Sequence, residues 1–159
     1  MDRSLVECVM TVLVIHASAR IARPIEVVRR HFMDVEHHRA NGIHPAIEFT
    51  LLPSAGSPNE VRHRRKTHMM GVPLVDEVVS RRQPDGSVIE SFVAGDSAGT
   101  KVTFRFEGSD ETEVTMTVEL PLAGIRRLAA PIVRRLTQRR MIKALDEDRR
   151  DLEEGEYEA

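Results

Sequence analysis

Hydrophobic and polar positions follow three regimes along the chain. Over residues 11–22, β-branched and small side chains dominate, which predicts a first strand. Beyond Arg23-Pro24 the apolar positions Ile25, Val28 and Phe32 recur at helical spacing. They predict a short helix over 24–33 with proline in its first turn, where its missing N–H costs nothing. Asp34 is placed to cap a second short helix that stops at Asn41-Gly42.

From Ala46 onward the period is two. Strands are expected over 46–53, 59–70, 74–82, 86–94, 99–107 and 111–120, separated by segments rich in Gly, Pro, Asn and Asp. Gly71 to Pro73 is one of these separators. Such short connections imply an antiparallel meander, because parallel neighbours need long crossovers. Val102, Phe104 and Phe106 alternate with Thr103 and Arg105, and Val114, Met116, Val118 and Leu120 alternate with Thr115, Thr117 and Glu119. One face of the sheet is therefore apolar and must be covered. The cover is a turn or two of helix over 122–130, then a long helix from Pro131 to about residue 154. Its apolar positions Ile125, Leu128, Ala129, Ile132, Leu136, Leu145 and Leu152 fall roughly on one stripe.

At 159 residues the chain has the size of one domain, and folding can bury roughly 70% of its surface without disulfide or metal staples. A net charge of −2 excludes a globally basic nucleic-acid binder. Cys8 is the only cysteine, so no intrachain disulfide forms. The apolar run over 5–15 and Ala17-Ser18-Ala19 hint at a cleaved leader. Glu7 interrupts that run, however, and the strand pattern continues through the site, so a cytoplasmic location is expected. No run reaches the ~20 apolar residues of a membrane span. The organisation expected is an N-terminal extension (1–10), one ligand-binding domain (11–154) and an acidic tail (155–159).

Three stretches carry a wider likeness: Ala19-Arg-Ile-Ala-Arg-Pro-Ile-Glu-Val-Val28, Phe32-Met-Asp-Val-Glu-His37, and the helix over 121–152. Together with the order of strand, two short helices, six strands and long helix, they make residues 11–154 resemble the START-like (SRPBCC) superfamily. That group includes the birch-pollen-allergen fold and polyketide cyclase/dehydratase-like proteins. The resemblance implies an α+β helix-grip fold. In it, a seven-stranded curved antiparallel sheet wraps around the long C-terminal helix, with two short helices between the first and second strands. It also implies an internal apolar cavity for a hydrophobic small molecule or lipid; no cofactor is expected. Members often carry a Trp several residues after the equivalent of Asp34; this chain has Arg39, Ala40 and Asn41 there and no Trp at all.

Phe49, Met69, Phe92, Phe104, Phe106 and Met116 are the expected cavity-lining residues, although Phe and Met at strand spacing also serve simply as core. The segment 59–70 is unusual, with His63 and Arg65 in phase with Val61, Thr67 and Met69. If that phase faces inward, Arg65 requires a carboxylate, and Glu77 and Glu90 are the nearest candidates on the next two strands. His63 is then the candidate acid–base group, and Arg65 with Glu77 or Glu90 the polarising pair. The alternative turns Arg62, Arg64 and Lys66 toward solvent and leaves His63 and Arg65 half-exposed at a cavity rim.

Glu36-His37-His38 and His44, following His31, put imidazoles close together in sequence. His37 and His38 point about 100° apart on a helix and cannot share a metal from there. No metal motif is present, so no metal is assigned and these histidines read as a polar helix face near the pocket entrance. From Pro121 to Lys143 there are seven basic residues and no acid, whereas acids dominate from Ala144 onward. The basic stretch reads as a solvated face, or else as a docking surface for an anionic partner or a second copy of the chain in a homodimer.

The function expected is binding of a hydrophobic or aromatic, polyketide-like molecule, with its transformation by cyclisation, dehydration or hydrolysis left open. The alternatives are a non-enzymatic lipid or quinone carrier of the coenzyme-Q-binding START-like type, to which Asp34-Val-Glu36 is similar, and a partner-binding module using the basic helix face.

Overall fold

A computed structural model describes residues 11–54, 56–155 and 157, with the side chains of residues 125 and 126 left aside. Cys8, the 1–10 extension and most of the acidic tail lie outside the described residues. The elements run β1 (Thr11–Ile21), α1 (Ile25–His31), α2 (Val35–Asn41), β2 (Glu48–Leu52), β3 (Glu60–Met69), β4 (Val72–Arg82), β5 (Val88–Gly95), β6 (Lys101–Gly108) and β7 (Thr112–Leu122). A 3-10 turn at Gly124–Arg127 and α3 (Ala130–Glu154) complete the chain. The seven strands form one antiparallel sheet in the order β1-β7-β6-β5-β4-β3-β2. With α3 packed against it, this is the helix-grip arrangement expected.

The local chemistry is as anticipated for α2, whereas in α1 Pro24 stands at the N-cap, just before the helix rather than in its first turn. Asp34 Oδ1 accepts the His37 N–H at 2.9 Å, capping α2, and Gly42 ends it in the left-handed region. Two prolines sit inside strands that the sequence was expected to break. Pro73 lies in β4 before β5 pairing begins at Asp76, and Pro121 lies in β7 beyond the last β6 pair at Glu119. Each is on a stretch with a neighbour on one side only, where a missing N–H is tolerated. The β3–β4 reversal is therefore the two-residue turn Met70-Gly71, both with positive φ, rather than Gly71 to Pro73. At Gly95 the φ of 109° and the closeness of the Val75 carbonyl and Asp76 Cα exclude any side chain, and the β4–β5 register shifts nearby.

The core lies between the sheet and α3. Ile15, Val102, Phe104, Phe106, Val114 and Val118 project onto Met141, Leu145 and Leu152, with Val28 and Phe32 closing one end. The helix stripe differs from the expected one. Leu128 is 83% exposed and Ile132 64%, whereas the buried positions are Met141, Leu145, Asp148 and Leu152. In the first turns of α3 Ala130 and Val133 pack partly against the core while Ile132 faces out, and full burial begins at Met141. The basic residues there have a structural use. Arg134 Nη1 and Gln138 Nε2 donate to the Val14 and His16 carbonyls on edge strand β1, at 3.0 and 3.4 Å. Arg140 donates to the His68 carbonyl in β3. The helix is thus fastened to the sheet near both of its edges. Tyr157 is also held: it is buried, and Arg23 Nη2 donates to its carbonyl at 2.9 Å.

This burial predicts unequal costs for two leucines of α3. Leu145→Ala, at 1% exposure, is expected to cost about 2–5 kcal/mol in urea unfolding. Leu128→Ala is expected to stay within about 0.5 kcal/mol of the parent. Equal losses would place the α3 stripe wrongly.

Candidate functional site

Two buried polar groups face each other across the interior. The first gathers on Asp148. That residue follows Leu145 by three positions and Met141 by seven, and precedes Leu152 by four, so helical geometry directs it inward with them. It is 4% exposed, and a carboxylate so placed must be compensated. His31, the last residue of α1, has Nε2 3.1 Å from Asp148 Oδ1. His38, one turn after buried Val35 in α2, has Nε2 at 3.5 Å, and His44 from the following loop at 3.2 Å. Three imidazole nitrogens thus surround one carboxylate oxygen, and His31 and His38 lie 3.0 Å apart through their own Nε2 atoms.

The flanking groups fix the outer ring edges. His44 Nδ1 donates to Glu147 Oε2 at 2.9 Å. His37 points away from His38 and donates from Nε2 to Asp151 Oδ2 at 2.7 Å, while Asn41 donates to its Nδ1. His31 Nδ1 lies 3.6 Å from the same Asp151 oxygen and makes no hydrogen bond. Burial drives the His38 imidazole down to about 3, against the pull of Asp148, so it is neutral. Burial also lowers His44, but Asp148 and Glu147 outweigh it and raise the group to about 8. Burial would raise Asp148, yet His44, His31 and His38 hold it below the ordinary carboxylate range. Tyr157, donating to Asp34 at 3.4 Å, is pushed up to about 12 by burial and that carboxylate.

The second group comes from the sheet. Antiparallel register places Arg65 opposite Asp76 and Glu90 opposite Ser80. Arg65 Nη2 donates to both Glu90 oxygens at 3.0 and 3.1 Å, and Ser80 Oγ donates to Glu90 at 3.4 Å. The guanidinium carbon sits 5.5 Å from the Phe49 ring and 5.4 Å from the Phe92 ring. Arg65 Nε is buried without a partner. His63 is fully buried beside Phe49, with Nε2 3.5 Å from Arg65 and Nδ1 unpartnered.

Between these groups lies a cavity of about 60 Å³. Phe32, Val35, Ile47, Phe49, Phe104 and Met116 form its apolar wall, while His38, His44 and Asp148 lie on the helical side and Arg65 and Glu90 on the sheet side. Ile47 and Ala144 separate it from an outer hollow of about 120 Å³ that Thr67, His68, Arg140 and Lys143 also border.

Of the residues expected from sequence, Phe49, Phe104, Met116, Arg65 and Glu90 line this cavity. His63 stands behind Phe49 and Arg65, and Phe92 packs on the guanidinium. Phe106 packs on Phe32 at 5.4 Å in the core, and Met69 ends β3 beside the hairpin turn. Glu77 is on the other face: it pairs with Arg64 at 3.4 Å, both partly exposed. The histidines expected on a polar helix face are instead buried against α3, because His31 and His38 share the inward faces of Val28 and Val35. Sequence reasoning missed His31, His38, His44 and Asp148 as a group. The signal for Asp148 was its place in the stripe of Met141, Leu145 and Leu152.

His63 makes a pH prediction. Burial pushes it from 6.5 down to about 4, with Glu90 opposing and Arg65 assisting. The unfolded chain therefore binds the proton first, and stability falls as pH drops through that window. His63→Gln is expected to flatten the decline by up to about 1.4 kcal/mol per pH unit in urea titrations between pH 6.5 and 4. An unchanged slope would contradict this placement.

Among the described residues no helix is long and apolar enough to cross a membrane. The sequence model of a family described as polyketide cyclase / dehydrase and lipid transport matches residues 13–153. No curated protein matches the chain in sequence. Among solved structures, the protein TTHA0849 from Thermus thermophilus is similar at a TM-score of 0.77 and 19% identity, covering 91% of this chain and 99% of that one. The Zhui aromatase/cyclase from a Streptomyces species is similar at 0.72 and 13%, covering 89% and 96%. The lipid transfer and protein localization domain of human StarD13 is similar at 0.61 and 11%, covering 87% and 76%.

Proposed function

Because the chain belongs to the polyketide cyclase / dehydrase and lipid transport family, we propose that it binds a small aromatic molecule bearing a carbonyl or phenolic oxygen in the cavity beside Arg65. The carrying observation is Arg65 itself. Glu90 takes only one of its terminal nitrogens, and a buried Nε–H remains without an acceptor. A ligand oxygen offered to this guanidinium gains a charge-assisted hydrogen bond in a water-poor wall. Phe49 and Phe92 hold the guanidinium plane, Glu90 fixes its far edge, and neutral His63 backs it without competing for charge. In this reading His63 and Glu90 are positioning residues, and polarisation of the ligand oxygen by Arg65 is the first element of any cyclisation or dehydration.

A quinone or lipid carrier of the simplest kind calls for a cavity without convergent buried charge. The facing Arg65–Glu90 and Asp148–imidazole groups favour the polar-oxygen reading. At about 60 Å³ the cavity is several-fold smaller than ligand pockets of about 300–1,000 Å³. An aromatic occupant must therefore displace the Ile47 boundary and join the inner and outer spaces.

Fluorescence titration with 2-naphthol and naphthalene tests this. The parent protein is expected to prefer the naphthol by about 10-fold or more, as a hydrogen bond to a charged group implies. Arg65→Leu is expected to erase the preference, and Ile47→Ala to tighten both ligands. Equal affinity for the two in the parent, or no binding of either, would overturn the reading.

A further inference from the structure

The cluster on α3 carries a second site that the aromatic ligand does not use. We propose that His31 Nε2, His38 Nε2 and Asp148 Oδ1 bind a divalent first-row transition-metal ion, of the Zn²⁺ or Fe²⁺ class. The three atoms form a triangle with sides of 3.0, 3.1 and 3.5 Å. A circle through its corners has a radius of about 1.9 Å, just inside the ~2.0–2.2 Å reach of zinc to imidazole nitrogen and carboxylate oxygen. An ion slightly off the plane reaches all three without movement of any side chain. All three residues are buried and come from three different elements, so the packing of the fold holds their spacing.

Neutral imidazoles serve this arrangement poorly. With its single proton on Nε2, a neutral His31 has one donor for both Asp148 and His38, and its Nδ1 lone pair faces the Asp151 carboxylate. With that proton on Nδ1, the Nε2 lone pair faces Asp148. A cation accepts both Nε2 lone pairs and the carboxylate together, and frees Nδ1–H of His31 to turn toward Asp151. That is the outer carboxylate–histidine contact that orients metal-bound imidazoles. His37 anchors Asp151 from behind at 2.7 Å, and His44 steadies Asp148. The donor set of two imidazoles and one carboxylate suits transition ions and not Ca²⁺ or Mg²⁺, which take oxygen ligands. His38 and Asp148 also border the cavity, so the ion has protein on one side and an open position toward the ligand space on the other. That arrangement belongs to reactive rather than structural metal sites.

The test is titration of the chelator-treated, full-length protein with Zn²⁺ by calorimetry and with Co²⁺ by visible absorption, beside Mg²⁺. One Zn²⁺ or Co²⁺ per chain is expected, with a raised melting temperature and no competition from Mg²⁺. His38→Ala and the isosteric Asp148→Asn are each expected to weaken binding by more than about 100-fold, the upper range for losing even an outer-layer partner. His37→Ala is expected to change it only a few-fold, with melting curves of the metal-free variants confirming that each folds. Absence of binding, or equal binding by the folded Asp148→Asn protein, would overturn the proposal. Binding lost in His37→Ala but kept in His38→Ala would overturn this placement in favour of His31, His37 and Asp151.

Discussion

The structure turns on one buried carboxylate. Asp148 lies on the apolar stripe of α3, where an uncompensated charge would be strongly unfavourable. His31, His38 and His44 come from α1, α2 and the loop after it, and they meet at a single oxygen of that carboxylate. The short helices are therefore docked on α3 by polar contacts as well as by Val28, Phe32 and Val35. The same contacts set the helical wall of the cavity.

The sheet supplies the opposite wall by a different route. Alternation brings His63 and Arg65 inward from β3, and Glu90 meets Arg65 from β5. Each charged group finds its main partner within its own wall, although Arg65 keeps a buried Nε–H without an acceptor, and phenylalanine, isoleucine and methionine form the apolar part of the space between them. The basic run of α3 contributes elsewhere, through Arg134, Gln138 and Arg140 on the backbone near the sheet edges.

The fold was legible because alternation in Val102–Phe106 and Val114–Leu120, the Asp34 cap and the turn residues all agreed. Alternation put His63 and Arg65 on the same face of β3 but left open whether that face was inward; burial of His63 and the Arg65–Glu90 pair decide it. The choice between Glu77 and Glu90 was not legible either, because it depends on the β3–β4 turn. A reversal at Gly71 to Pro73 would put Glu77 on the Arg65 face; the actual Met70-Gly71 turn shifts the register and sends Glu77 to the outer face opposite Arg64. The histidine cluster was illegible for another reason. His31 and His38 lie on separate helices, so no single-helix period relates them, and Asp148 reads as one more acid in an acidic stretch until its phase with Leu145 is noticed.

The most direct test is a double-mutant cycle between Asp148→Asn and His44→Gln, measured by urea unfolding with chelator present. If Asp148 is held by its imidazoles, the two losses are coupled by about 1.5 kcal/mol or more. Additive losses, agreeing within about 0.5 kcal/mol, would contradict the central role of that carboxylate.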